Sequence, residues 1–199
     1  VLLRQLVDIK RGHWTKLSPQ AREAIRSTIL QLVFAEPSPV ISNRISHCVA
    51  QIASAEDWPV LLPTVCGYVS IGDTTARTAM FILTQLPEYA PNMMCGNALA
   101  LLPVYSEALQ NPNMQLQIGG LKATSALLLA LPSDKERAPF TPLVLPILGA
   151  LSNALSSNHE LEAQEVLTAL VEVAQNAVDF FRTDLSSVVD AMLTVASSE

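Results

Sequence analysis

A chain of 199 residues, half of them hydrophobic, carries enough apolar material for a continuous core, which excludes an intrinsically disordered segment. Seven glycines, few aromatics and a dominance of Leu and Ala favour helix over sheet, because straight side chains lose little rotamer freedom in a helix. The net charge of −6 is unevenly placed: residues 1–57 hold seven Lys/Arg against five Asp/Glu, whereas residues 138–199 hold Arg182 alone against eight acids, a surface that repels phosphate backbones and argues against nucleic acid.

Helix-period patterning places helices, in chain order, at about 1–11, 18–34, 38–54, 58–70, 74–89, 96–110, 113–131, 139–156, 159–176 and 181–197. The chain opens at Val1 without an initiator methionine or a signal-like start, which reads as an excised piece of something longer. Its Val1-Leu2-Leu3 end and its last helix are expected to expose apolar faces, through which the chain self-associates in concentrated solution. Ser18-Pro19 is a helix start, serine at the cap and proline at the first helical position. Gly72-Asp73-Thr74, Asn111-Pro112-Asn113 and Ser156-Ser157-Asn158 are turns rich in capping residues. Cys48, Cys66, Cys95 and His13, His47, His159 are scattered, so neither a disulfide framework nor a zinc site is indicated, and no cofactor is expected. The most apolar stretch, Ala126–Leu131, is far short of the ~20 residues a bilayer needs, and the next is broken by Pro142 and Pro146; no membrane span is expected.

Self-similarity decides the fold. Leu61-Leu62-Pro63, Leu101-Leu102-Pro103 and Val144-Leu145-Pro146 are near-identical triplets whose prolines stand 40 and 43 residues apart. That is the period of HEAT and armadillo units, roughly 40 to 47 residues. Each triplet lies in an apolar helix that turns into a second one. The pattern predicts an all-α, α-α superhelix of the HEAT-repeat solenoid type, with about five tandem antiparallel helix pairs in a single array over 1–199. Its units are 1–17 (partial), 18–54, 58–89, 91–131, 139–176 and 178–199 (partial). A proline inside a helix removes one hydrogen bond, so its recurrence marks a bend in the first helix of each pair. One pair cannot bury its own stripe, and stacked neighbours share a core.

Several residues invite a chemical reading. Arg77, 14 residues after Pro63 and just past Asp73, suits a structural role bonding the preceding turn, with a direct partner contact as the other reading; Gln117 and Glu160 hold the same offset from Pro103 and Pro146. His47 beside Cys48 cannot form a nucleophile and base dyad, since adjacent helix positions point ~100° apart, and packing explains it. Glu160, Glu162, Glu165 and Glu172 form a solvated face or a docking site for a basic partner. Trp58-Pro59 opens its helix, the ring packing across the joint between repeats. No glycine-rich phosphate loop, HExxH, GxSxG or EF-hand spacing occurs, so an enzyme is not expected.

The Leu-Leu-Arg run within Val1–Leu6, then Trp14-Thr15-Lys16-Leu17-Ser18-Pro19, the long helix ending Ala35-Glu36, and Trp58-Pro59 with Leu61-Leu62-Pro63 resemble the amino-terminal HEAT repeats of the importin-β (karyopherin-β) nuclear transport receptors. The segment from Glu165 to Ala174, followed by Phe180-Phe181-Arg182 and Asp184-Leu185, is similar to the branch containing importins four and five. The resemblance implies a receptor fragment that binds the GTP form of the small GTPase Ran, and basic protein cargo, on inner second helices. It implies phenylalanine-glycine nucleoporins on the outer ones, and shuttling between cytoplasm and nucleus with transient residence at the nuclear envelope. The inner helices would be 38–54, 74–89, 113–131 and 159–176. Helical spacing puts Asn43, Arg44, His47, Gln51, Thr78, Gln85, Lys122, Glu162, Glu165 and Glu172 on their exposed face. Pro63, Pro103, Pro146, Asp73, Arg77 and Trp58 are the structural residues. A static HEAT scaffold organising a multiprotein complex is the alternative, since one fold serves both.

Overall fold

The computed structural model describes residues 13–156 and 160–196; the expected first helix, the Val1-Leu2-Leu3 end and the turn residues Ser157 and Asn158 lie outside these. Among the described residues every regular element is helical. After a 3-10 turn, Trp14–Lys16, helices α1 (Pro19–Ala35) and α2 (Pro39–Ala55) make the first pair, and α3 (Leu61–Gly67) with α4 (Asp73–Tyr89) the second. Helices α5 (Pro91–Gly96) and α6 (Ala98–Leu109) precede α7 (Met114–Ala130). A short α8 (Asp134–Arg137), a 3-10 segment Ala138–Leu143 and α9 (Val144–Ser156) precede α10 (Glu160–Asn176). A further 3-10 segment, Val178–Asp184, leads into α11 (Leu185–Ala196), which stands where the first helix of another pair would. The expected all-α HEAT architecture is therefore what forms.

Two compact units divide the chain, Val1–Met94 and Cys95–Glu199. In the first, α2 packs on α1 and runs beside α4; in the second, α7 packs on α6 and runs beside α10, while α9 touches α6, α10 and α11. The second helices α2, α4, α7 and α10 are each 17 residues long. Local chemistry sets their starts. Ser18 accepts the Ala21 amide at 3.2 Å ahead of Pro19, and Asn113 accepts the Gln115 amide at 3.0 Å ahead of α7. Asp73 sits in the first turn of α4, where the positive end of the helix favours a carboxylate.

The triplets occupy matching environments. Leu61, Leu101 and Val144 are at most 1 % exposed, and four residues on, Val65, Tyr105 and Leu148 are buried as well. The expected bend at each proline is corrected in two of the three cases. Pro63 and Pro146 lie in the first turns of α3 and α9, where no intrahelical amide bond is lost. Pro103 does lie inside α6, and Pro87 lies inside a second helix, α4. The first helices are segmented rather than bent: the expected 58–70 shortens to Leu61–Gly67, and the expected 96–110 starts afresh after Asn97.

One helical run is longer than the pattern suggested. Helical segments run on from Asp134 to Ser156, 23 residues that by length and composition alone suffice to cross a bilayer. In the fold Phe140, Leu143, Val144, Ile147, Leu151 and Ala154 are buried in the core of the second unit.

Close approach of α6 and α7 rests on a glycine. A Cβ on Gly120 would stand 2.8 Å from the Ala108 Cβ and 3.3 Å from Ala108 backbone carbon. Gly120→Ala should therefore destabilise the second unit by about 1–3 kcal/mol through overpacking. Urea unfolding followed by circular dichroism checks it; an unchanged midpoint would show that the two helices part freely.

Candidate functional site

In the first unit, α2 and α4 run side by side, and their contact is made in two ways. Ser42 and Thr78 hydroxyls meet at 3.1 Å in the buried seam, with the Val33 carbonyl 3.3 Å from the Ser42 oxygen and the Thr74 carbonyl 3.2 Å from the Thr78 oxygen, so one hydroxyl donates to the other and the other to its own carbonyl. Toward solvent, the His47 ring stands edge-on to Phe81, centroids 5.4 Å apart at 86°. Thr78 is thus corrected from an exposed to a buried residue. A short hydroxyl that finds partners in a tight seam looks, in sequence, like a polar surface position.

The other expected positions of this unit lie at or near the surface. Arg44 and His47 are exposed, and Asn43, Gln51 and Gln85 are half-buried. The Gln51 Oε1 is shielded from solvent with no hydrogen-bond donor among the described residues. Arg77 is exposed and, among the described residues, has no hydrogen-bond or ion-pair partner, so the bond to the preceding turn is not made. Its counterpart by offset, Gln117, is buried and accepts from Asn153 at 3.4 Å, so the shared spacing from a proline does not give a shared role. Trp58 is buried as expected, with the Arg26 guanidinium 5.9 Å from its ring.

Around that ring lies a cluster the sequence reading missed. Arg22 and Arg26 both pair with Glu56, and Arg26 also pairs with Glu23 and donates to the Asp57 carbonyl at 3.2 Å. The i,i+4 arginines of α1 and the Glu56-Asp57-Trp58 run were the available signal. Phe34 and Tyr68 stack at 3.7 Å, tying α1 to the end of α3.

In the second unit, Lys122 on α7 and Glu165 on α10 form an ion pair at 2.9 Å, both side chains about half exposed. Two residues expected to meet partners therefore meet each other, in an exposed pair that contributes about 0–1 kcal/mol. Glu172 is exposed two turns further along. Glu162 lies on α10, but its side chain, like that of Glu160, is outside what is described. A cavity of ≈ 560 Å³ opens between α9 and α11, lined by Leu145, Leu148, Leu151, Leu155, Ser187 and Ala191 among others. It was missed because its two sides lie some 40 residues apart in the chain.

A family model of IPO5-like, TPR repeats matches residues 37–191. The chain belongs to the IPO5-like family. Repeat spacings of 40 and 43 residues put these IPO5-like units in the HEAT range rather than at the 34 residues of a tetratricopeptide unit. A probable importin-5 homolog of Dictyostelium discoideum is 26% identical over 202 residues, 94% of this chain and 18% of that protein. Crystal structures of Kap121p share the fold: the protein alone superposes with TM-score 0.84 at 19% identity, covering 100% of this chain and 19% of that one. Kap121p bound to RanGTP superposes with TM-score 0.80 at 20% identity over 99% of this chain and 18% of that one. Kap121p bound to Nup53p gives 0.82 at 20% identity over 99% and 19%. This IPO5-like chain spans about a fifth of the length of these relatives. The importin-β resemblance read from the residues is borne out at the level of family and fold.

Among the described residues no three His, Cys, Asp or Glu side chains are grouped to hold a metal ion. Burial pushes the Cys66 thiol up from its ordinary value, and burial together with the Glu136 charge does the same for Cys95. Less thiolate is then present at neutral pH than in a free thiol. Alkylation of both by iodoacetamide at pH 7.5 should run slower than that of free cysteine and accelerate as pH rises; mass-spectrometric time courses check this, and a rate at or above that of free cysteine would contradict it.

Proposed function

We propose that this chain is a protein-binding segment of a nuclear import receptor, not an enzyme, and that the exposed stripes of its second helices take Ran in its GTP form, protein cargo, or both. Membership of the IPO5-like family over residues 37–191 carries the reading. The fold shared with Kap121p, seen bound to RanGTP and to Nup53p, supports it. On this reading the receptor shuttles between cytoplasm and nucleus. The cavity between α9 and α11, in the layer of first helices, is lined mainly by leucines, which makes it the candidate seat for a phenylalanine of a nucleoporin repeat.

Retention of Ran on immobilised chain tests the core of this. Binding of the GTP form but not the GDP form is expected, and equal retention of both or of neither would favour a static scaffold. For cargo, Glu165 and Glu172 are the exposed acids among the described side chains of α10. Replacing both by Lys should weaken a basic peptide several-fold at low salt, with the difference shrinking as salt rises; fluorescence anisotropy reads it.

Self-association is expected from α11. Leu185, Val189 and Leu193 are 56%, 47% and 63% exposed, although the positions matching Leu185 and Val189 in the preceding repeats are buried. Light scattering should show mass rising with concentration, and Leu185→Ser with Val189→Ser should hold the chain monomeric.

A further inference from the structure

Side-by-side packing of α2 and α4 arranges their exposed side chains in rungs. The Ser42–Thr78 and His47–Phe81 contacts join residues 36 and 34 positions apart, so a residue on α2 stands level with the one about 35 later on α4. Three approximate rungs follow on this side: Arg44 with Arg77, 33 positions apart and so within a helical turn of one another in level, His47 with Phe81, and Gln51 with Gln85. They repeat every three or four residues, so each helix turns them to the same side.

The first rung is electrostatically unfinished. Arg22, Arg26, Lys122, Arg137 and Arg182 each pair with a carboxylate, whereas Arg44 and Arg77 have none among the described residues. Long arginine side chains rooted within a helical turn of each other can both reach one carboxylate, which then accepts charge-assisted hydrogen bonds from each. The second rung offers an apolar edge beside that charge, and the third offers the half-buried Gln85 carboxamide and the amide group of Gln51, able to bond a peptide main chain.

We propose that this face binds an extended acidic segment of a partner protein. Carboxylates sit on Arg44 and Arg77, a following apolar side chain lies against His47 and Phe81, and the main chain reaches Gln51 and Gln85. From residue 44 to 51 a helix rises about 10 Å, which an extended chain covers in three to four residues. The recognised element is therefore short: one or two acids, then an apolar residue. The sign is opposite to that of the basic cargo assigned to α10, and the proposal does not depend on that assignment.

A fluorescein-labelled 12-residue peptide of Asp and Glu around one Phe, titrated with the full 199-residue chain at low salt, tests it. Binding is expected, weakened about tenfold or more by Arg44→Glu with Arg77→Glu and several-fold by Phe81→Ala. Arg44→Lys with Arg77→Lys should retain most of it, and circular dichroism confirms that each variant is folded. A peptide with Lys in place of every acid should not bind this face. Equal affinity for the wild type and the double charge reversal would overturn the proposal. So would no binding at all, or tighter binding of a single-stranded oligonucleotide of equal charge.

Discussion

Within each unit a helix pair has more apolar stripe than it can cover itself, so its burial is completed by the neighbouring pair of the same unit. Leu61, Leu101 and Val144 record this: the same point of three repeats vanishes from solvent, while Leu185 at the matching point of α11 does not. Because the apolar sides are taken up by the seams, each second helix keeps one free stripe whose composition folding does not dictate. Stability and recognition then occupy different positions of the same 17-residue helix. A binding face can change sign without disturbing the core beneath it.

The seams themselves are made in two ways. In the first unit small hydroxyl side chains, Ser42 and Thr78, satisfy one another where α2 and α4 meet. In the second unit a glycine, Gly120, lets the α7 backbone lie against Ala108. Both devices let the helices lie close together at the contact. The free stripes above them differ in charge. That of the first unit carries Arg44 and Arg77, and that of α10 carries Glu165 and Glu172, with Lys122 neutralising part of the latter. Since such fields decay within about 8 Å at physiological salt, each stripe presents its own sign to whatever touches it.

Much of the architecture was legible because two signals reinforce each other: a 3.6-residue period within helices and a 40 to 43 residue period between triplets. Helix starts at Ser18 and Asn113 were legible because capping chemistry is local. What escaped depended on neighbours distant in sequence. Thr78 is polar and falls on a plausible surface spacing, yet the helix 36 residues earlier covers it. Phe81 reads as core, yet half of it faces outward beside His47. Arg77 was assigned a bond to the preceding turn, but it stands four residues into α4 while Gln117 stands three into α7, so an equal distance from the proline puts the two on different faces. Proline position proved a marker of repeat phase more than of bending.

Trp14 and Trp58 are the two tryptophans of the chain, and both are buried in the first unit. Indole emission therefore watches one half of the molecule, whereas far-ultraviolet ellipticity sums over every helix. In a stack held by nearest-neighbour contacts, coincidence of the two signals on denaturation is a statement about energetic coupling between halves. The placement of two aromatic rings turns an ordinary melting curve into a gauge of how far the fate of one repeat governs the next.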